Sequence, residues 1–395
     1  MNINDTPEEA AFRAEVRHWI ETEVPANLRG LRQGIVQGPG LPEETTRPFY
    51  DALVKQGWRA AAWPEEHGGA GFDLARMVIF SEECTKAAVP SLQDNGLDML
   101  GPILIAYGTE EQKKRFLGPT LRGEIQWCQG YSEPQAGSDL ANVQLKADIR
   151  EDGFILNGQK IWTSKAHVAD WIFMLVRTDA SSKKKQEGIS FVLLDLKTPG
   201  IEVNPIGTID DHHHFNETFY NDVFVPKDQL VGELNKGWKV AKALLGHERF
   251  HHPTSDPLII RRALDNVKAS ARELPAGDSV VWEDGALRRR VAAMDMDIDC
   301  LQYTRYRALT KVLRDGEPGP ETMMFKLFGA ELMQRIVELH GTVVGPMSAV
   351  WKDSPFPEES GETAKHNANI RAGTIRGGTS EVQRNIIAKN VLNLP

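Results

Sequence analysis

The chain has 395 residues, of which 41% are hydrophobic and 26% are charged, and this composition excludes intrinsically disordered, collagen-like and low-complexity proteins. At roughly 100–200 residues per domain, the length predicts two or three domains. Lysine and arginine number 46 against 55 aspartates and glutamates, so the formal net charge of −9 opposes binding to nucleic-acid phosphates and anionic lipids. We therefore expect neither a nucleic acid nor a membrane as a partner.

Two further features concern the cellular compartment. The first residues include acidic side chains where a signal peptide is basic, and no run of about 18 or more apolar residues occurs in the chain. The three cysteines, Cys84, Cys128 and Cys300, lie far apart and lack the spacing of a zinc site or a disulfide framework. These features predict a soluble, unprocessed protein of the reducing cytoplasm.

The first part of the chain has a helical pattern. Thr6-Pro7-Glu8-Glu9 is a capping box with proline at the first helical position, and apolar residues follow on one helical face at Phe12, Val16, Trp19 and Ile20. Thr109 begins a second capping box directly after Gly108. Further helices are predicted around 47–57, 74–88 and 96–107. The pattern indicates an N-terminal helical domain over residues 1–125.

The pattern then changes to strands. Apolar residues alternate with polar ones at Val143, Leu145, Ala147 and Ile149. Two dipeptides, Asp152-Gly153 and Asn157-Gly158, predict turns on either side of a short strand. Further strands are predicted at 171–176, 189–196 and 219–225. We expect a central antiparallel β domain over residues 126–235.

Helical periodicity returns after Gly237. Four long helices are predicted near 237–250, 256–273, 285–314 and 320–341. A polar loop at 352–363 precedes a last helix that begins near Thr379. No βαβ alternation is present, so the predicted fold is α+β, with a C-terminal four-helix bundle domain over residues 236–395.

One string resembles a metal-binding motif. His247-Glu248-Arg249-Phe250-His251 is a literal HExxH, which on a helix places two imidazoles on one face to bind zinc. Against this interpretation, Pro253 follows closely and no third ligand is evident. A zinc hydrolase using His247 and His251 stays an alternative, which we disfavour, and we expect no metal site.

A run of three histidines also draws attention. His212, His213 and His214 stand beside Asp210 and Asp211 between predicted strands. Because adjacent residues of an extended segment point to opposite faces, at most two of them converge on one ion. We expect a solvated loop or the rim of a pocket, and the sequence assigns these histidines no role.

Two segments of the β domain are suited to a planar, hydrogen-bonding ligand. The chain has neither GxGxxG nor a P-loop, so a nucleotide must be held in another way. Hydroxyls and tight turns cluster in Tyr131 to Asp139, and again in Trp162-Thr163-Ser164. Such groups beside a tryptophan can bind an aromatic ring and its phosphates.

These segments, with three others, resemble the acyl-CoA dehydrogenase family of flavoproteins over nearly the whole chain. The matching motifs, in chain order, are WPEEHGGAG at 63–71, YGTEEQK at 107–113, SEPQAGSDL at 132–140, NGQKIWTS at 157–164 and GTSEVQR at 378–384. The family fold is a helical domain, a β domain and a four-helix bundle. This order agrees with the pattern of elements described above.

The resemblance implies an FAD site. By position, Tyr131 and Ser132 would border the flavin, Ser138 would reach a phosphate, and Trp162 would cover the isoalloxazine ring. Ser164 would bond the carbonyl and N5 edge of that ring. Thr379 and Glu381 would complete the site from the last helix. Ser132 and Ser164 replace the usual threonines of the family and keep the hydroxyl group.

The resemblance also implies the reaction, with one departure. Many members carry their base glutamate directly before the Gly-Thr of the last motif, where this chain has Gly377. A branch of the family instead carries a Glu-Arg pair on the first bundle helix, which matches Glu248-Arg249. Glu248 would take the α-proton of an acyl-CoA thioester while hydride passes from Cβ to flavin N5, giving a trans-2-enoyl-CoA. Arg249 and Ser138 would bind the substrate.

A second departure concerns assembly. The family's ArgxxPheGly element, which reaches the FAD of a neighbouring subunit, is absent from residues 271–278, and its GlyGlyxGly element is altered at 340–345. These changes resemble large subunits of heteromeric acyl-CoA dehydrogenases that act on dicarboxylyl or steroid thioesters. We expect a homologous subunit in an α2β2 heterotetramer, otherwise a homo-oligomer, with an electron-transfer flavoprotein as acceptor. A flavin-poor partner subunit is an alternative function. The sequence does not specify the acyl group.

Overall fold

The computed structural model describes residues 5–31, 43–251, 256–315, 319, 322–351 and 358–394; the side chains of residues 43, 246–251 and 358–362 lie outside this description. Helices come first, strands follow, and helices return, as the sequence predicts. Within the described ranges, no helix is both long and apolar enough to cross a membrane.

The N-terminal helices are α1 (Pro7–Glu23), α2 (Glu43–Gln56), α3 (Leu74–Lys86), α4 (Gly101–Tyr107) and α5 (Glu110–Leu121). Both predicted capping boxes are confirmed. The Thr6 hydroxyl accepts from the Glu9 amide at 3.2 Å, and the Glu9 carboxylate accepts from the Thr6 amide at 2.7 Å. Thr109 and Gln112 repeat this arrangement at the start of α5. The predicted apolar face of α1 is buried against α3.

A buried charge network joins α1 to α3. Arg13 donates to Glu83 at 2.7 Å and to Glu82 at 2.9 Å, and Arg17 donates to Glu83 at 2.6 Å. The Glu83 side chain is only 4% exposed. Burial raises its pKa, but hydrogen bonds from Arg17, Arg13 and Lys86 outweigh burial and lower the pKa to about 2. The network therefore stabilises the folded state only while Glu83 is ionised.

We expect a Glu83→Gln variant to be less stable than the unmodified chain by about 3 kcal/mol at pH 7. Because the pKa of Glu83 is lower in the folded state, this stabilisation is present above the reference value of 4.5 and is lost as the pH falls towards about 2. Urea unfolding at a series of pH values measures the difference, which should shrink below pH 4.5. Glu15→Gln, at an exposed position of α1, is the control; a Glu83 effect that does not change with pH contradicts the assignment.

The β domain contains one eight-stranded sheet in the order β6-β7-β3-β2-β4-β5-β8, with β1 paired to β4. The strands are β1 (Trp127–Gly130), β2 (Lys146–Ile149), β3 (Gly153–Ser164), β4 (Trp171–Arg177), β5 (Ile189–Asp195), β6 (Ile201–Gly207), β7 (His213–Pro226) and β8 (Leu230–Val231). Most pairs are antiparallel, as predicted, but β1 and β2 each run parallel to β4. The sheet is therefore mixed.

The predicted turn at Asn157-Gly158 is wrong, because β3 continues through it. The Asn157 side chain donates to the Asp222 carboxylate on β7 at 2.9 Å and accepts from the Asp222 amide at 3.0 Å. The pairing shifts register between Leu156 and Gly158, and Gly158 has φ of 142°. The two turn-forming residues make a bulge within a long strand rather than its end.

The C-terminal helices are α6 (Gly237–His251), α7 (Pro257–Glu273), α8 (Gly285–Asp315), α9 (Met323–Val344), α10 (Glu358–Ile370) and α11 (Ser380–Asn390). Helix α9 lies at the centre of this bundle and contacts α7, α8, α10 and α11. Its buried residues include Leu332, Ile336 and Leu339. Helix α10 was not predicted, because its sequence is polar and overlaps the loop expected at 352–363.

A short π-helix, Asn95–Leu100, precedes α4 where a single helix over 96–107 was predicted. The Asp94 carboxylate caps it by accepting from the amides of Gly96 at 2.8 Å and Leu97 at 3.1 Å. Leu97 and Leu100 share a core cluster with Ala241 and Leu244 of α6. The π-helix therefore packs against the first C-terminal helix.

Candidate active site

The two hydroxyl-rich segments of the β domain lie side by side. The Ile161 amide of β3 donates to the Ser132 carbonyl at 2.9 Å. Pairing between β3 and β7 shifts register between Lys160 and Thr163, and Trp162 at this bulge has φ of 60° and is 53% exposed. A tryptophan in the left-handed region is strained, and such strain concentrates at functional sites. The bulge thus presents a large indole beside Ser132.

A buried ion pair fixes this arrangement. Lys160 Nζ donates to Glu133 Oε1 at 2.7 Å, and their side chains are 0% and 4% exposed. The Glu133 carboxylate also accepts from the backbone amides of Gln144 and Leu145. Burial lowers the pKa of Lys160, and the Glu133 carboxylate opposes that change. Because Glu133 follows Ser132 and Lys160 precedes the bulge, the pair holds the two predicted cofactor segments together.

The remaining predicted residues of this loop have different surroundings. The Tyr131 ring is 5% exposed and makes edge contacts with Phe173 and Phe191. Ser132 and Ser164 are half-buried, whereas Ser138 is exposed. In the described part of the chain no hydrogen bond joins Ser138 to Trp162 or Ser164. The structure thus joins Tyr131 and Ser132 to Lys160 and Ile161, directly before Trp162, and leaves Ser138 exposed.

A polar network backs the Trp162 bulge. Asn216 of β7 donates to the Thr163 carbonyl at 3.0 Å, and its side-chain oxygen lies 2.8 Å from His213 Nε2. The His213 ring stacks on His167 with centroids 4.1 Å apart. His213 and His214 belong to β7 rather than to the loop expected between strands. Asn216 is fully buried and fastens the backbone of the bulge directly.

We expect Asn216→Leu to weaken cofactor retention by about tenfold or more, because the Thr163 carbonyl loses its donor and the bulge loses its support. FAD release, followed by the fluorescence of the freed flavin, measures the effect. Asn221→Leu, at an exposed position of the same strand, is the matched control. Equal FAD release from both variants contradicts a positioning role for Asn216.

The C-terminal motif lies near the same edge of the sheet. The His214 pKa is lowered to about 4 by burial and by the positive charges of Lys165 and Arg376. Asn369 of α10 donates to the buried Asp210 carboxylate at 2.6 Å. This hydrogen bond joins α10, the helix before α11, to the residues that precede β7.

Thr379 and Glu381 occupy the N-terminus of α11. The Thr379 hydroxyl accepts from the Val382 amide at 3.2 Å and so caps the helix. Hydrogen bonds from the backbone amide of Glu381 and from Thr379 lower the pKa of the Glu381 carboxyl. Glu381 is thus held ionised at the helix end, where the dipole favours a negative charge.

The predicted base lies on α6. Position 248 is one helical turn after Leu244, which shares a core cluster with the π-helix. The side chains of His247, Glu248, Arg249 and His251 lie outside the described ones, so their roles stay predictions. Among the described residues, no three His, Cys, Asp or Glu side chains are grouped to hold a metal ion.

Two orphaned hydroxyls test whether the site fits FAD. Thr163 Oγ1 and Ser380 Oγ are buried and have no hydrogen-bond partner within the described parts of the chain. Thr163 adjoins Trp162, and Ser380 adjoins Thr379, so each lies in one of the two predicted flavin segments. A buried hydroxyl without a partner costs about 1–3 kcal/mol. The unpaired donors, the exposed indole and the α11 N-terminus match a ligand with a planar ring and anionic groups.

Sequence reasoning missed the supporting residues Glu133, Lys160 and Asn216. One signal was available, because Lys160 falls at an inward position of the alternating strand β3, between the apolar Leu156 and the buried Thr163. A lysine at such a position needs an acidic partner nearby. Asn216 gave no comparable signal, since its role depends on a bulge in another strand.

The fold and site define a class, and comparison with known proteins identifies it. Residues 6–124, 128–223 and 235–392 match the N-terminal, middle and C-terminal domains of acyl-CoA dehydrogenases, respectively. The chain belongs to the acyl-CoA dehydrogenase family. It is 36% identical to the acyl-CoA dehydrogenase IpdE1 of Mycobacterium tuberculosis, over 97% of each chain.

Solved structures agree with this assignment. The chain resembles the Tcur3481-Tcur3483 steroid ACAD with a TM-score of 0.84, at 29% identity over 100% of both chains. It resembles the ChsE4-ChsE5 complex from Mycobacterium tuberculosis with a TM-score of 0.82, at 30% identity and again over 100% of both chains. The family resemblance of the five sequence motifs is thereby confirmed, as is the expected α+β fold.

Proposed function

We propose that the protein is an FAD-dependent acyl-CoA dehydrogenase that converts an acyl-CoA thioester to the trans-2-enoyl-CoA. One observation carries this proposal: the buried Glu133–Lys160 ion pair joins the two predicted cofactor segments. It holds the segment that contains Ser132 beside the segment that contains the exposed Trp162. Membership of the family and the two orphaned hydroxyls support it.

The residues proposed to hold FAD come from two regions. Tyr131, Ser132, Trp162 and Ser164 would face the flavin ring, and Ser138 would reach a phosphate. Thr379 and Glu381 would contribute from α11. FAD, when bound, supplies a hydride acceptor, which no amino-acid side chain can provide. The chain's own residues orient the ring and exclude water from it.

Glu248 is proposed as the base. A thioester α-hydrogen is a weak acid, so its removal needs a carboxylate held close to it and donors on the thioester oxygen. Position 377, where many relatives carry the base, has φ of 66° in this chain. That conformation favours glycine, and a glutamate there would be strained. This geometry supports a base supplied from α6, with Arg249 and Ser138 binding the thioester substrate.

We also propose a homologous partner subunit in an α2β2 heterotetramer, with a homo-oligomer as the alternative. The segments at 271–278 and 340–345, which differ from the family's motifs, contact other residues of the same chain. Arg272 lies over the Trp282 ring at 4.7 Å. His340 lies 3.2 Å from Ser270 and 3.1 Å from Thr363. Helix α8 exposes Met296 and Tyr303, two turns apart, as an apolar face for another subunit. The resemblance to the ChsE4-ChsE5 complex supports a partner subunit.

The acceptor and the compartment are also proposals. An electron-transfer flavoprotein would receive the electrons, as in the family. The three cysteines are all free, two of them buried, which is consistent with the reducing cytoplasm.

A panel of acyl-CoA thioesters with an artificial electron acceptor tests the function. We expect a yellow protein with absorbance bands at about 370 and 450 nm, the second of which bleaches on addition of a substrate. Expression of the chain alone decides the need for a partner, since full FAD occupancy in a pure homo-oligomer argues against one. A colourless chain that gains activity only with a homologue supports the flavin-poor partner subunit. Stoichiometric zinc without colour supports the hydrolase.

A further inference from the structure

The π-helix lies between the two elements that carry the proposed chemistry. On one side, Leu97 and Leu100 pack with Ala241 and Leu244 of α6, the helix that continues to position 248. On the other side, the Asn95 side chain donates to the Trp127 carbonyl of β1 at 3.2 Å. Strand β1 leads directly into the cofactor loop.

This inference rests on the proposed function. Given that function, the position of the π-helix between α6 and β1 makes it a wall of the acyl pocket. The α-carbon of the substrate must lie beside the base on α6, and the β-carbon must lie beside the ring held by the loop after β1. The acyl group then passes the element that contacts both. π-Helical turns are uncommon in proteins and are frequent at functional sites.

Asp98 of this π-helix has a carboxyl group that is only partly hydrogen-bonded within the protein. One of its carboxyl oxygens accepts from the Asp94 amide at 2.8 Å. No other hydrogen bond or ion pair to Asp98 is found within the described ranges. The neighbouring cation, Arg59, is engaged by the Asp94 carboxylate at 3.0 Å. Asp98 therefore keeps an oxygen without a protein partner.

Asp98 is half-buried among the residues of the π-helix. Its side chain is only partly accessible, and its helical neighbours Leu97 and Leu100 are buried. Burial, reinforced by the negative charge of Asp94, raises the pKa of Asp98 to about 7, although its hydrogen bond from Asp94 and the charge of Arg59 oppose the change. A protonated carboxyl group donates as well as accepts a hydrogen bond, so the free oxygen of Asp98 can pair with either a ketone or a hydroxyl group.

We propose that Asp98 is a specificity-determining residue of the acyl pocket, and that it hydrogen-bonds a ketone or hydroxyl oxygen on the acyl group. A plain alkyl chain would desolvate this carboxyl group without pairing it, which is costly. A pocket built to bond an oxygen rejects the analogue that lacks it much more strongly than an apolar pocket rejects an extra group. The preferred substrate class is thus an oxygenated acyl-CoA rather than an unsubstituted fatty acyl-CoA.

The test compares octanoyl-CoA with its 5-oxo, 7-oxo, 5-hydroxy and 7-hydroxy derivatives, using the FAD-loaded protein as purified with any partner subunit. We expect kcat/KM to favour at least one oxygenated thioester over octanoyl-CoA by about tenfold or more. Asp98→Leu should remove or reverse this preference, and Asp98→Asn should keep it because the amide still bonds oxygen. Asp278→Leu, at an exposed position of the turn after α7, is the matched control.

Binding is measured separately from turnover. Calorimetric titration of the Glu248→Gln holoprotein with the same thioesters should show the same order of affinity, and adding Asp98→Leu should remove it. If Asp98→Leu does not fold, Asp98→Ala replaces it in both measurements. Equal kcat/KM for octanoyl-CoA and all its derivatives overturns the role of Asp98, while the proposed function stands. Failure of every acyl-CoA to bleach the flavin overturns the proposed function itself.

Discussion

Glu248→Gln is expected to leave FAD bound but to slow bleaching of the flavin by an acyl-CoA at least about 1000-fold. General-base catalysis contributes about 10²–10⁴-fold to a rate, and glutamine keeps the shape of the side chain but cannot accept the proton. Stopped-flow absorbance at about 450 nm measures the rate directly, apart from any later electron transfer.

Two controls sharpen this experiment. Glu233→Gln, at an exposed position just before α6, should bleach like the unmodified protein. His247→Gln and His251→Gln should retain most of the bleaching rate, because the proposal gives them no proton to carry. Substantial residual bleaching in Glu248→Gln would show that another group is the base, and loss of activity in both histidine variants with bound zinc would favour the hydrolase.

Lys160→Met is expected to have the largest effect on folding and on FAD retention. It leaves the Glu133 carboxylate, with its side chain 4% exposed, without its cation. Breaking a buried pair by removing one partner costs about 3–5 kcal/mol. Because Glu133 also accepts from the amides of Gln144 and Leu145, the whole loop loses its anchor. We therefore expect a lower Tm together with a protein that purifies with little FAD.

The matched control is Lys197→Met. Lys197 also pairs with a carboxylate, that of Asp170, but at 3.6 Å and with 80% of its side chain exposed. Exposed pairs contribute about 0–1 kcal/mol, so this variant should keep its Tm and its FAD. Equal behaviour of the two variants would mean that the buried pair does not position the cofactor loop. A Lys160→Met protein of normal Tm but low FAD content would instead separate positioning from stability.

The helices were predicted well from the sequence because their signals are local. The capping boxes at Thr6 and Thr109 appear as expected, since each depends on two side chains only three positions apart in the sequence. The order of helices, strands and helices was also predicted correctly. Strand β6 was missed, because it contains Pro205 and is only partly buried, so its apolar alternation is weak.

The irregular backbone was not predicted, because it depends on partners far away in sequence. Asn157-Gly158 is a turn signal by itself, yet Asp222 on β7 binds the asparagine and the strand continues. The π-helix likewise depends on a distant group, since the Trp63 indole donates to the Leu97 carbonyl at 2.9 Å. Both features are tertiary in origin.

The residues of the candidate site fall into the same two groups, those with a local sequence signal and those that depend on distant partners. The residues proposed to touch the cofactor were found through short motifs, in which neighbouring residues act together. The residues that hold them in place come from separate elements: Asn216 from β7 and Lys160 from β3. A contact that joins two elements leaves no spacing rule in the sequence. The partners of Lys160 and Asn216 were therefore found only in the structure.

Cys300 on α8 has a practical consequence for the study of assembly. It is the only exposed thiol of the chain, since Cys84 and Cys128 are both buried. On the helix it lies one turn from Met296 and one turn from Tyr303, in the middle of their apolar face. A maleimide fluorophore would therefore attach at one site without any engineered substitution. The natural sequence thus supplies a single built-in reporter on the surface where a second subunit is proposed to sit.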